Sequence, residues 1–339
     1  MKKKKILIIG GAGFIGHNLG LNLCKKDYEV YIVDSLAINN FFSVIDNKDN
    51  LKNPKLAEVF LQERLSLIRN SNIKMTILDA RDYHLLSKTI SSIVPDVIIQ
   101  LAAVSHANRS NKDPHSTFDH SFRTLENALD CAKHFGSHFI YFSSSMVYGN
   151  FKEAEVNENS VCDPIGIYGA LKYSGEKLVK AYNQVFNLPY TIIRPSALYG
   201  ERCISRRVGQ IFIENAITNN DIIIEGDGKD KLDFTYISDL ISGVEKVIND
   251  KNSINQIFNL TFGSGNEINK LIEILKSEFG KFNVIYKEKD KLMPVRGKLS
   301  IEKAKKLLNY NPEWNLEKGY LNYIKWYKDI FKKNQNAFK

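Results

Sequence analysis

The sequence contains no apolar run approaching the roughly 20 residues that span a bilayer, so no transmembrane helix is expected. Met1-Lys-Lys-Lys-Lys5 carries positive charge like the start of a secretory signal. Only Ile6 to Ile9 follow before Gly10-Gly11, too few for a signal's apolar core, and a soluble, cytoplasmic protein is expected. Cysteine is scarce. Cys24, Cys131, Cys162 and Cys203 lie far apart without a C-x-x-C pair, which argues against a zinc site or a disulfide framework. Repeats and low-complexity linkers are absent, so a second lobe should pack directly on the first rather than hang from a tether. Acidic residues are outnumbered, 38 against 47 Lys and Arg. The lysines are spread along the chain and densest at its ends, the pattern of a solvated surface rather than a nucleic-acid face; a nucleotide-diphosphate pocket would use some of the charge.

What is present is ordinary globular material: 339 residues, 43% hydrophobic and 25% charged, enough for one large or two ordinary domains. Strands are expected at Lys4–Gly10, Glu29–Asp34, Lys74–Asp79, Asp96–Ala102, His138–Ser143 and Tyr190–Arg194. Helical spacing lies between them, at Phe14–Lys26, Arg81–Ile93, Thr117–Phe135 and Tyr168–Phe186. This alternation predicts an α/β fold, a parallel sheet covered on both faces, with ligands beyond the carboxyl ends of its strands. An amphipathic helix over Leu56–Arg69 interrupts the long crossover from the second strand to the third. It is expected as an extra surface helix, with a subunit contact or a lid as the alternatives. Beyond Gly200, helices are expected at Val208–Asn219, Ile237–Ile248, Lys298–Leu308 and Leu316–Phe331, with prolines 189, 195, 294 and 312 marking segment ends.

Gly10-Gly-Ala-Gly13-Phe14-Ile15-Gly16 joins the first strand to the first helix. Glycines there allow a tight turn and close approach of backbone to a pyrophosphate, which the helix N-terminus attracts. Asp34 ends the second strand. A carboxylate at that place accepts hydrogen bonds from a ribose diol and repels a 2′-phosphate, which favours NAD over NADP.

The spacing G-x-x-G-x-x-G, together with Tyr168-Gly-Ala-Leu-Lys172, resembles the extended short-chain dehydrogenase/reductase superfamily and, within it, the nucleotide-sugar epimerase/dehydratase family. Asp79-Ala-Arg-Asp82, Gln100-Leu-Ala-Ala103, Ser143-Ser-Ser-Met-Val-Tyr-Gly149, Arg194-Pro-Ser-Ala-Leu-Tyr-Gly200 and Gly226–Tyr236 extend the likeness over nearly the whole chain. It implies a Rossmann-type doubly wound sheet in residues 1–195, carrying NAD and the catalytic Ser/Tyr/Lys. Residues 196–339 would form a smaller, mainly nucleotide-sugar-binding lobe, with segments exchanged between the two. Asp79 and Ala80 would flank the adenine; Leu101, Ala102 and Ala103 would border the cofactor. A homodimer or dimer of dimers, paired through Thr117–Phe135 and Tyr168–Phe186, is also implied.

Tyr168 and Lys172 are four apart and share a helical face. A nearby ammonium and the nicotinamide charge would favour the phenolate, which then takes a proton from a sugar hydroxyl. Ser144 aligns with the family's catalytic Ser/Thr, with Ser143 and Ser145 one residue away. The family's dehydratases carry Asp-Glu immediately after that residue, and its decarboxylases carry a Glu; here Ser145 and Met146 stand there. The residues that remain suit an epimerase, which oxidises C4 and returns hydride to the other face. A 4-dehydrogenase, a 4-keto reductase and a non-catalytic NAD-binding protein are the other readings. Cys162, His106 and His120 are the groups that a 3,5-epimerase could add, though packing or surface roles are expected for each. On the substrate side the family's pyrophosphate Arg is Leu232, and its Asn before a helix is His120. Arg296 matches a second pyrophosphate contact; Arg206 and Arg207, with Ser145, complete the substrate candidates.

Overall fold

The computed structural model describes residues 3–45, 53–105, 107–290 and 292–338. Seven strands form its central sheet: β1 (Lys4–Ile9), β2 (Tyr28–Asp34), β3 (Lys74–Ile77), β4 (Val97–Gln100), β5 (His138–Phe142), β6 (Tyr190–Arg194) and β7 (Gln256–Asn259). Their order is β3-β2-β1-β4-β5-β6-β7, and every pair is parallel. The order reverses between β1 and β4, the place where such sheets open a crevice for ligands. The first six strands follow the sequence reading to within a residue or two at most ends. β7 does not: it comes from far beyond residue 195 and covers the outer edge of β6, with Ile257 opposite Ile192.

The period of two along the strands sorts the core into two layers. Ile6, Ile8, Val30, Ile32 and Ile99 face one layer; Leu7, Ile9, Val33 and Ile98 face the other. Helices α3 (Tyr83–Ile93), α4 (Thr124–Ala132) and α5 (Gly166–Phe186) supply buried residues to the second layer. The first layer receives α1 (Phe14–Cys24), α2 (Pro54–Arg69) and the C-terminal lobe, including α6 (Leu316–Lys333), in one continuous apolar cluster. Residues on either side of Gly200 share this apolar cluster.

Helix α2 is amphipathic as expected, with Lys55, Glu58, Gln62, Ser66 and Arg69 on its exposed face. Its stripe Leu56, Ala57, Phe60, Leu61 and Ile68 is buried, and Phe60 packs against Trp326 and Tyr327 with ring centroids 4.8 and 5.6 Å apart. Amphipathic spacing announces the stripe but not its partner, which the C-terminal helix provides. The expected helix over Thr117–Phe135 differs. An α-turn at Pro114–Phe118 passes through a π-helical turn at Asp119–Arg123 before α4 begins. Such a turn re-aims side chains and is frequent beside functional sites.

Candidate active site

Every segment that matters leaves the carboxyl end of a strand. Gly10 follows β1 with φ +81°, and a Cβ there would lie 2.6 Å from the Ala102 backbone nitrogen. A side chain is excluded on both counts, so the turn after β1 presses against the segment after β4. A Cβ at Gly16 would meet the Gly11 backbone at 2.5 Å, which fixes the close entry of α1. Asp34, ending β2, accepts the Ala12 amide at 2.9 Å and the Leu36 amide at 2.8 Å. Burial pushes its pKa up, while these amides and Arg64 oppose the rise. Gly10, Gly13, Phe14, Ile15, Gly16, Asp34, Asp79, Ala80, Leu101, Ala102 and Ala103 line one cavity, as the sequence reading grouped them. The bare backbone at the head of α1 suits a dinucleotide's diphosphate, and the Asp34 carboxylate suits a ribose diol.

Tyr168 and Lys172 lie on the first turns of α5, and Ser144 caps the short turn after β5. Ser144 Oγ accepts the Met146 amide at 3.2 Å and stands near enough to Tyr168 to favour its ionised form. Ser143 is engaged elsewhere, donating to Glu176 Oε1 at 2.5 Å; Ser145 is buried, its amide on the Pro195 carbonyl at 2.9 Å. Burial raises the Tyr168 pKa; Arg207 and Ser144 oppose it. The opposing charge named here is thus Arg207, whereas the sequence reading had looked to Lys172. Lys172 instead donates to the Phe142 carbonyl at 2.7 Å, beneath the Tyr141 ring.

Burial drops the Lys172 pKa from 10.5 to about 8, with Glu176 opposing. Between those values the unfolded chain holds the proton and the folded chain does not. Stability from this group therefore rises with pH across that window, by up to about 3 kcal/mol. Urea unfolding at pH 8 and pH 10 should show the wild type gaining stability relative to Lys172→Met. Equal responses would mean that the ammonium is not desolvated in the fold.

A buried network stands behind these groups. Arg194 pairs with Glu176 through Nε at 2.9 Å and Nη2 at 2.7 Å, and its Nη1 reaches Tyr148 Oη at 2.9 Å. Tyr148 donates on to Asn259 of β7 at 2.8 Å. Glu176 thus has both oxygens committed and is not a free base. Sequence reasoning passed over Glu176 and Arg194 as site residues, although Tyr168, Lys172 and Glu176 at steps of four form one line along α5.

The model of the NAD dependent epimerase/dehydratase family matches residues 6–261. The chain belongs to this family. It is accordingly an NAD-dependent enzyme of the sugar-nucleotide epimerase or related oxidoreductase kind. It is 30% identical to a Bacillus subtilis (strain 168) protein described as an uncharacterized UDP-glucose epimerase, YtcB, over 96% of this chain and 99% of that one. Among solved structures it resembles a UDP-glucuronic acid 4-epimerase from Bacillus cereus in complex with UDP-glucuronic acid and NAD. That likeness has a TM-score of 0.85 at 28% identity and covers 96% of this chain and 99% of the other. It also resembles a UDP-glucose 4-epimerase from Thermotoga maritima with UDP-glucose, with a TM-score of 0.84 at 25% identity over 97% and 100% of the two chains.

In this epimerase/dehydratase the remaining candidates divide. Arg207 lines the cofactor cavity, and its Nε is buried without a partner; Arg296 Nε is in the same condition. Burial and then Arg207 drop the Arg296 pKa to about 10, with Asp230 opposing. Arg206 is held by Glu214 at 3.3 Å. Leu232 is buried in the core. His120, in the π-helical turn, lines the cavity, and burial then Arg81 lower its pKa. Burial raises the Cys162 thiol, which packs beside Val147, Tyr148 and Tyr173. His106 lies outside the described residues. Sequence reasoning missed Arg64, which also lines the cavity. Its signal was an arginine standing in register with Phe60 and Ile68 on the apolar stripe of α2.

Proposed function

We propose that this enzyme inverts C4 of a UDP-sugar through a 4-keto sugar. The observation that carries the reading is Tyr168 beside Ser144 and under the influence of Arg207, which lines the cofactor cavity, with no carboxylate at positions 145 and 146 and Glu176 tied to Arg194. The UDP part rests on the solved structures it resembles, which hold UDP-glucuronic acid and UDP-glucose.

NAD, held by the Gly10–Gly16 turn and Asp34, would supply the hydride acceptor and donor. Tyr168 takes the O4 proton as the C4 hydrogen departs as hydride, and Ser144 donates to the same oxygen. Lys172, anchored on the Phe142 carbonyl and one turn along from the phenol, would hold the nicotinamide ribose. Arg207 and Arg296, like charges with unmet donors, suit a diphosphate, which would relieve their repulsion. After the ketone turns over, Tyr168 returns the proton to O4. No further acid or base is required.

A homodimer through α4 and α5 agrees with Val185 and Phe186 being exposed, at 69% and 46%. Four unpaired cysteines suit the reducing cytoplasm. No helix among the described residues is long and apolar enough to cross a membrane.

The test is to mix purified enzyme, without added NAD, with UDP-, dTDP-, GDP- and CDP-sugars in deuterium oxide and to follow the sugar by proton NMR. A C4 isomer of a UDP-sugar without deuterium uptake is expected. Deuterium at C3 or C5 would reveal enolisation and refute this chemistry. A keto sugar formed only in proportion to enzyme would make the protein a net oxidoreductase.

A further inference from the structure

Helix α2 places an arginine where its neighbours are apolar. Arg64 is 1% exposed, between turns that bury Phe60 and Ile68. Its Nε donates to the Arg202 carbonyl at 2.9 Å, and Nη2 donates to the same oxygen. Nη1 is buried and has no hydrogen-bond partner. No carboxylate forms an ion pair with this guanidinium among the described residues. Burial lowers its pKa most; Cys203, Asp34 and Tyr323 attract it through space, and Arg202 repels it. A buried cation with an unmet donor is stabilised when a counter-charge arrives.

The same side chain lines the cofactor cavity together with Gly13, Phe14, Ile15 and Asp34. Its anchor is tied to the glycine turn. The Arg202 guanidinium donates through Nε to His17 Nε2 at 3.0 Å, and His17 Nδ1 meets the Gly13 carbonyl at 2.9 Å. That arrangement fixes His17 as the neutral Nδ1–H form, since Arg202 is a donor only. Helix α2, the loop at Arg202 and the head of α1 are therefore one hydrogen-bonded assembly around the diphosphate end of the cavity. The head of α1 brings amides and a partial positive charge but no lysine or arginine in its first turn. A group that is only a donor and fully charged does not suit an adenine or a ribose oxygen as well as it suits a phosphate.

We infer that Arg64, carried into the cavity by the long crossover after β2, is an anion-binding residue that grips the diphosphate of the bound dinucleotide and holds the cofactor in the enzyme between turnovers. The inference deepens the proposed epimerase, whose cofactor has to stay in place while the keto sugar turns over.

The test uses cofactor-stripped wild type, Arg64→Met and Arg64→Lys, titrated with NAD, ADP and adenosine by calorimetry or NMR. Arg64→Met should weaken NAD and ADP by about 30-fold each and leave adenosine within about twofold. Arg64→Lys should recover part of the loss, because the point charge remains. Equal weakening of all three ligands would overturn the inference and make Arg64 a pocket-shaping residue. Unchanged NAD and ADP would overturn it too. Should Arg64→Met fail to fold, Arg64→Lys decides: it should weaken NAD and ADP more than adenosine, and a uniform effect counts against the inference. Wild type that binds none of the three would overturn the NAD-retaining epimerase reading itself, a result separable from any variant's.

Discussion

Tyr168→Phe is expected to cut kcat about 1,000-fold, within the range of a lost general base, while NAD content and melting temperature stay near those of wild type. The substitution removes one oxygen from a side chain whose hydroxyl stands near Ser144 and feels Arg207. No unpaired charge is created and the ring volume is kept, so the effect should fall on chemistry rather than on folding. Ser144→Ala should cost less, because it orients the reacting oxygen but takes no proton. The direction of the Tyr168 pKa adds a pH signature. Burial raises it in the protein without ligands, so the wild-type rate should climb with pH as the phenolate is populated, and Tyr168→Phe should lose that climb. A loss under tenfold would move the proton transfer to another group, and His120 on the cavity wall is the next to test.

Arg194→Leu should be the most destabilising of the substitutions considered, by about 3–5 kcal/mol. Both partners of the Arg194–Glu176 pair are almost completely buried, at 3% and 1% side-chain exposure. Removing the guanidinium strands Glu176 beneath α5 with only Ser143 as donor, and also strips Tyr148 of one partner. Combining Arg194→Leu with Glu176→Met removes the stranded carboxylate as well and should recover much of the loss, because the penalty lies in the unpaired charge rather than in the missing pair. Chemical denaturation of the two single variants and the double measures this directly. If the double variant is no more stable than Arg194→Leu, the network holds the fold by packing and not by charge. The pair also stands one turn from Lys172 on α5, so Arg194→Leu should disturb NAD retention at temperatures where the fold persists.

Much of the cofactor half was legible because its determinants are local. A strand, a glycine turn and a helix follow one another in ten or so residues, and the turn's backbone has to do the binding. The parallel sheet then brings Asp34, Asp79, Ala80 and Leu101–Ala103, from the ends of other strands, to the same cavity. Tyr168 and Lys172 were legible through helical spacing. Arginines 206 and 207 were not separable by sequence: they are adjacent, and only the fold delivers one to Glu214 and the other to the cavity. Helix α2 was legible as an amphipathic surface helix, but not what its stripe packs against, since a stripe does not name what covers it.

The sequence by itself determined the alternation of strands and helices, the phosphate turn, the carboxylate at the end of β2 and the Tyr/Lys pair, all of which depend on residues within a turn or two of one another. Tertiary structure alone decided that β7 closes the sheet edge, that Glu176 and Arg194 neutralise each other, that Arg207 rather than Lys172 is the charge set against burial at Tyr168, and that Arg64 reaches the cofactor cavity. Each of these joins residues far apart in the chain, and burial and charge act through space, where sequence distance has no bearing.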